Sequence, residues 1–200
     1  MARMPAAERR AALIEAGLRV VAREGIAGAS TRAIVAEAGM SLASFHYAFE
    51  SRDAFLDEMI ASVVAREGAA VLPVADAVTD GDLRDVLESG LLGYLDHLRA
   101  DPGHEQAMLE LTQYALRDPE RHPLARDQYR RYAELAREAL ELAAALTGST
   151  WRRPVDEVAA VLVAFTDGLT MTWLVHRDDA AARATATAAA DAIARMAERS

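Results

Sequence analysis

The chain of 200 residues contains no cysteine, which excludes disulfides and thiolate metal sites and fits a reducing compartment. It contains no lysine either, so all 22 cations are arginine. Aromatic residues make up only 6% of it. Long apolar runs are missing as well. The longest, VAAVLVAF at 158–165, sits between Glu157 and Asp167 and falls well short of the roughly 20 residues that span a bilayer. The opening MARMPAAERR has no apolar core behind its basic residues, so no secretory signal is expected. These absences predict a cytoplasmic protein with no membrane partner. The five histidines, His46, His97, His104, His122 and His176, show neither Glu-x-x-His nor His-x-x-x-His spacing, the arrangements that bundle metal sites use. No G-x-S-x-G, P-loop or dinucleotide fingerprint occurs. The expectation is a protein that is not an enzyme and holds no metal or cofactor.

What is present is a soluble, globular composition, 52% hydrophobic and 26% charged. The net charge of −9 argues against non-specific nucleic-acid binding. The charge is unevenly placed, however. Residues 1–56 carry seven arginines and six acids, whereas the remainder carries 15 basic and 25 acidic residues. A near-neutral N-terminal unit can face a polyanion while an acidic body stays in solvent.

The hydrophobic pattern is helical almost throughout. From Ala6 to Glu24, the residues Leu13, Ile14, Gly17, Leu18, Val20 and Val21 share one face. Gly25 suits a left-handed helix end. Ser30, Ser41 and Ser51 each stand where an N-cap belongs, before TRAIVAEA, LASFHYAF and a longer helix opening RDAFLDEM. Further breaks at 73–82, 100–103, 117–123, 147–154 and 176–179 leave helices near 82–99, 103–117, 123–146, 155–175 and 180–198. The fold class is therefore all-α with about nine helices. We divide it into a three-helix helix-turn-helix domain at 1–50 and a larger helical bundle at 51–200.

Two helices joined by a short turn with a glycine are the helix-turn-helix plan, and STRAIVAEAGMSLASFHYAF at 30–49 fits it. Ile34, Val35, Ala38, Met40 and Phe45 can form its small core. The second helix then turns residues 41–44, 46 and 47 outward. Small residues at its start permit close approach to DNA. Ser41 and Ser44 can donate to phosphates, as can the Tyr47 hydroxyl. Phe45 and Phe49 are read as inward rings, and His46 and Tyr47 as outward ones. An ordinary bundle corner shares the helix–Gly–helix outline but does not require Ser30, Arg32, Tyr47 and Arg52 around it.

With these residues in place, positions 11–59 resemble the DNA-binding domain of TetR-type transcriptional regulators. That family's pattern, roughly Thr-x-Arg-x-Ile-Ala-x-x-Ala-Gly-Val-Ser, then Leu-Tyr-Tyr-His-Phe, then Ser-Lys-x-x-Leu, stands here as STRAIVAEAGMS, FHYAF and SRDAFL. FTDGLTMTWL at 165–174 is loosely similar to the family's late dimerisation helix. The resemblance implies that Thr31 and Arg32 touch DNA from the first motif helix. It implies that Ser41, Leu42, Ala43, Ser44, His46 and Tyr47 occupy the recognition positions, and that Arg52 grips phosphate where a lysine is usual. Leu42 departs from a commonly polar or basic residue and Ala48 from a common histidine. Leu42 cannot read a base by hydrogen bonds, though it can meet a thymine methyl.

For the body, the expected function is a mostly apolar ligand pocket with a few polar anchors. Tyr94, Met108, Glu110, Thr112, Tyr114, Phe165, Met171 and Trp173 are the candidates, each of which is equally readable as plain core. Glu110, in AMLELTQYAL, needs a partner if buried; Arg117, two turns on, or a ligand cation would serve. The alanine-rich helices at 155–175 and 180–198 suit pairing with a second copy. The resemblance implies a repressor, released by a small-molecule effector, that binds a palindromic double-stranded operator as a homodimer. A helical small-molecule-binding protein or enzyme without a DNA role, and an activator or ligand-free regulator, stay open as alternatives.

Overall fold

The computed structural model describes residues 4–67 and 82–199. The expected break at 73–82 lies almost wholly outside them. Nine helices occur among the described residues: α1 (Ala6–Gly28), α2 (Thr31–Glu37), α3 (Leu42–Ala48), α4 (Arg52–Glu67), α5 (Leu83–Ala100), α6 (Pro102–Leu116), α7 (His122–Thr147), α8 (Val155–His176) and α9 (Asp179–Ala194). The chain divides into two compact units, one of residues 1–65 with 103–128, the other of residues 66–102 with 129–200.

The first unit holds α1 to α3, nearly all of α4, α6 and the start of α7. Its core brings together Leu13, Val20, Ile34, Phe45, Phe55, Leu56, Met59 and Leu111, each almost fully buried. Phe45, Phe49 and Phe55 form a ring cluster, with centroids 4.9–5.4 Å apart. α1 approaches that cluster closely at Gly17, where a Cβ would come within 2.4 Å of the Phe55 ring. Gly25 (φ 71°, ψ 172°) breaks the regular geometry of α1 at the predicted place, and one short turn continues to Gly28.

The second unit packs α5 against α8 and α9, with the rest of α7 and a small β-ribbon. Ala186, Ala189, Ala190 and Ile193 of α9 share a buried cluster with Leu83, Leu87 and Leu91 of α5. Part of the alanine content of α9 thus serves contact inside the chain. Asp82 and Asp178 cap α5 and α9 through backbone N–H groups. The all-α class holds, with one correction at the end. α9 stops at Ala194 rather than 198, because Ala197–Arg199 (β2) pairs antiparallel with Ser149–Trp151 (β1), Ser149 opposite Arg199 and Trp151 opposite Ala197. Gly148 at φ 61° starts β1 just after α7.

Candidate functional site

The N-terminal corner is held by local chemistry. Ser30 Oγ accepts from Ala33 N–H at 3.2 Å and opens α2; Ser41 Oγ accepts from Ser44 N–H at 3.2 Å and opens α3. Between them Gly39 sits at φ 64°, with Gly39 N–H donating to Ala36 O and Met40 N–H to Val35 O. That crossed pair is the Schellman termination, which needs a left-handed residue at Gly39's place. α3 is only seven residues long. Its stability comes from Phe45 and Phe49, which are buried in the ring cluster, rather than from helix propensity.

Burying that side fixes the other. Ser41, Leu42 (44% exposed), Ala43, His46 and Tyr47 (79% exposed) stand on the open side of the corner, with Ser44 half-buried beside them. On α2, Thr31 is half-buried and Arg32 exposed. The remaining described arginines of this region are engaged. Arg10 pairs with Glu58, stacks over Phe49 at 4.5 Å and donates to Ala48 O. Arg19 and Arg23 both hold Glu37, at 2.8 and 3.2 Å, and these bonds keep its carboxyl below the usual range. Arg9 donates to Met4 O. Arg32 has no such partner among the described residues.

Arg52 has a task that the sequence did not suggest. Its Nε donates to Ala29 O at 2.7 Å and its Nη2 to Ile26 O. Half-buried at the start of α4, it fastens the last turn of α1.

Glu110 also departs from expectation. Its partner is neither Arg117 nor a cation: Oε2 accepts from Ile26 N–H at 2.8 Å. Gly25 takes the chain out of helical geometry just before that N–H, and a Cβ on Gly25 would stand 3.0 Å from the same oxygen. The two peptide groups of Ile26 are therefore held from α6 on one side and α4 on the other. A second clasp lies nearby, where Tyr114 Oη donates to Asp53 at 3.2 Å and Arg121 reaches Asp53 at 2.9 Å and Asp57 at 3.2 Å. Burial, then the Asp53 charge, pushes the Tyr114 hydroxyl pKa up.

Among the other ligand candidates, Met108 is plain core of the first unit, and Thr112 is buried there, its hydroxyl within hydrogen-bond distance of Met108 O and of the Gln128 side-chain amide, both at 2.9 Å. In the second unit Tyr94 and Trp173 share one apolar cluster, Tyr94 bonded to Thr170 at 2.5 Å and Trp173 Nε1 donating to Asp179 at 2.8 Å. Phe165 packs against a different cluster there, and Met171 is exposed. Sequence reading passed over Tyr129, whose hydroxyl donates to Asp167 at 3.0 Å. Burial raises the Asp167 carboxyl, opposed by this bond; burial and Asp167 together push the Tyr129 hydroxyl up to about 12. Among the described residues no cluster of three His, Asp or Glu is placed to hold a metal ion.

Residues 13–59 match the model of bacterial regulatory proteins of the tetR family, and residues 83–198 match that of the BetI-type transcriptional repressor C-terminal domain. The chain belongs to the TetR family. It is a DNA-binding transcriptional regulator. Family members generally bind DNA as dimers and respond to small-molecule effectors. A curated relative, the HTH-type nicotine-responsive transcriptional repressor HdnoR of Paenarthrobacter nicotinovorans, is 27% identical over 177 residues, 88% of this chain and 89% of that protein. The crystal structure of the multidrug binding protein EbrR complexed with imidazole matches with TM-score 0.62 and 28% identity, over 91% of this chain and 89% of that one. A transcriptional regulator from Rhodococcus sp. Rha1 matches in fold with TM-score 0.75 and 19% identity, over 94% of this chain and 97% of that one.

Proposed function

We propose that this TetR-family regulator binds a palindromic operator as a homodimer through Thr31, Arg32, Ser41, Leu42, Ala43, Ser44, His46 and Tyr47, and that a small organic effector releases it. The observation that carries the DNA surface is the two-sided corner: Phe45 and Phe49 lock one face of α3 inward and leave Tyr47 exposed, while Arg32 of α2 is exposed and has no bonding partner among the described residues. Arg32 and the hydroxyls can bond phosphates or base edges, and Leu42 offers an apolar contact. Arg52 is a positioning residue in this scheme.

Release follows from the clasp in the first unit. α6 holds the reading corner through Glu110 on Ile26 and through Tyr114 on Asp53. An effector that favours a different placement of α6 shifts the corner, and its differential affinity for the two placements sets the extent of release. The names of HdnoR and of the imidazole-bound EbrR support a small-molecule effector.

The second copy is assigned to α8 and α9. Along α8, Ala164, Gly168, Met171 (49% exposed) and Val175 (66% exposed) form one open apolar stripe, next to exposed Ala181, Ala184 and Ala188 of α9. Of the described helices, α8 is the one long and apolar enough to cross a membrane, by length and composition. A family partner helix is the occupant we assign to its open side. A Cβ on Gly168 would meet nothing within 4 Å in the single chain. Gly168→Leu should therefore leave the protomer folded and weaken the dimer, seen by sedimentation as a shift toward the 21.6 kDa species. Gel-shift of the purified protein on its own upstream DNA, with footprinting, tests the operator; failure to shift any sequence above random DNA would overturn the reading.

A further inference from the structure

We infer that Arg10, oriented by Glu58, is a positioning residue that sets α3 for discrimination between DNA sequences without touching DNA itself. The inference rests on the DNA-binding mode proposed above and adds to it a residue outside the two motif helices. α3 has seven residues, too few for a helix to hold its own setting. Its first turn is held by the Ser41 cap and its inner side by Phe45. His46 and Tyr47 stand exposed on its second turn, so whatever fixes that turn decides where they point. The carbonyls of a last turn have no helical N–H to meet. Phe49 N–H closes on Phe45 O at 2.8 Å, and beyond it Ala48 O accepts from Arg10 Nη1 of α1. A cation there also suits the negative end of the helix.

Two further contacts fix the plane and direction of that guanidinium. Its Nε and Nη2 donate to the two carboxylate oxygens of Glu58 on α4, the first at 2.9 Å. Its face lies over the Phe49 ring, 4.5 Å from the centroid. The fork aims Nη1, so the bond to Ala48 O has one geometry. Lysine, a point charge without a plane, cannot make all three contacts. Arg10 and Glu58 keep 41% and 38% of their side chains exposed, and an ion pair this open to water adds little to stability. What the pair contributes is direction. A bond to a base edge weakens steeply with small changes in distance and angle, whereas attraction to phosphate carries no sequence information. Loss of Arg10 therefore erases discrimination before it erases binding.

The test uses the full-length protein with Arg10→Met, Arg10→Lys and Glu58→Gln. The first readout needs no DNA. Amide hydrogen exchange over 42–49 should quicken about fivefold or more in Arg10→Met, while exchange over 31–37 stays within about twofold of wild type. The second readout is gel-shift on the footprinted operator and on random DNA. Arg10→Met should lose about tenfold in the ratio of the two affinities, the order of one lost base contact, with the salt slope unchanged. Arg10→Lys should stay within about threefold of Arg10→Met. Glu58→Gln should lower the ratio about threefold and the melting temperature by no more than about 4 °C, the loss of one exposed ion pair. Adding Glu58→Gln to Arg10→Met should change nothing further, because the carboxylate acts through the guanidinium. Should Arg10→Met not fold, Glu58→Gln carries the same two readouts. A salt slope reduced by about one per head, or rescue by Arg10→Lys, would make Arg10 a phosphate contact and overturn the inference. Unchanged exchange over 42–49, or equal losses on both DNAs, overturns it as well. The two readings fail separately. If wild type shifts no sequence above random DNA, the operator-binding reading falls and the exchange of 42–49 decides this one. If wild type discriminates and Arg10→Met discriminates equally well, Arg10 alone is misassigned.

Discussion

Replacing Glu110 by alanine removes the acceptor that α6 lends to the end of α1. The bond is 2.8 Å long, charge-assisted and partly buried. It serves an N–H that Gly25 has turned away from the regular helical ladder. Hydrogen bonds to charged groups contribute about 1.5–3 kcal/mol, and an N–H left without an acceptor loses most of that. At about 2–4 °C per kcal/mol for a chain of this size, Glu110→Ala should melt about 3–12 °C below wild type. Glu110→Gln keeps a neutral acceptor, for which about 0.5–1.5 kcal/mol remains, so it should fall between the two. Ile26 lies four residues before the Ser30 cap of α2, so the loss should also reach the DNA surface. We expect operator affinity at 25 °C to fall about two- to tenfold in the alanine variant, or about 0.4–1.4 kcal/mol. Effector titration of the DNA-bound glutamine variant should need more ligand for release, because the link that carries the shift is weaker. Circular dichroism melts and gel-shift titrations measure both. Alanine and glutamine variants that both overlay wild type would show that the carboxylate holds nothing.

Arg32→Ala should cost about 1–3 kcal/mol on operator and relax choice at one base position if the guanidinium reads a guanine; equal losses on operator and random DNA would make it a phosphate contact. Arg52→Ala should lower the melting temperature through loss of the Ile26 and Ala29 carbonyl bonds while leaving the salt slope of DNA binding unchanged. A slope reduced by about one per head would instead place Arg52 on a phosphate. The pH dependence of Asp167→Asn has a definite sign. The folded wild-type carboxyl holds its proton above the ordinary value of 3.8. Its ionisation therefore destabilises the fold as pH rises from that value through the raised one. The melting advantage of the asparagine variant should grow over that interval and then level off, and a difference flat from pH 3 to pH 7 would refute it.

The reading corner was legible because its determinants are local. Ser30, Ser41 and Gly39 act on N–H and C=O groups within a few residues, and the alternation of Phe45 and Phe49 with His46 and Tyr47 settles which side is buried. The tasks of Arg52 and Glu110 were not legible, because each acts on the backbone of Ile26, 26 and 84 residues away in sequence. A main-chain partner leaves no trace in residue type. Gly25 was the available signal: it marked a helix end, but not the carboxylate that its missing Cβ admits. Asp167 escaped notice because it was read as the boundary of an apolar run, whereas its half-burial depends on Tyr129 from another helix. The β1–β2 ribbon was missed for a similar reason, since three residues at each end show no period until they pair.

The arginines explain how an acidic chain of net charge −9 can be a specific DNA binder. A cation paired with a carboxylate has its charge largely compensated, and Arg10, Arg19 and Arg23 are paired in this way, with Glu58, Glu37 and Glu24. Arg52 keeps its charge, but its donors are occupied by the Ala29 and Ile26 carbonyls. The compensated arginines add little non-specific attraction to DNA. In the binding mode proposed above, affinity comes from Arg32, the hydroxyls of Thr31, Ser41, Ser44 and Tyr47, and the apolar reach of Leu42. Such short contacts depend on position, because a hydrogen bond is weakened steeply by small changes in distance and angle. A binder that relies on position more than on charge can be released by a small movement of its corner. The clasp of α6 on Ile26 and Asp53 lies where such a movement would enter.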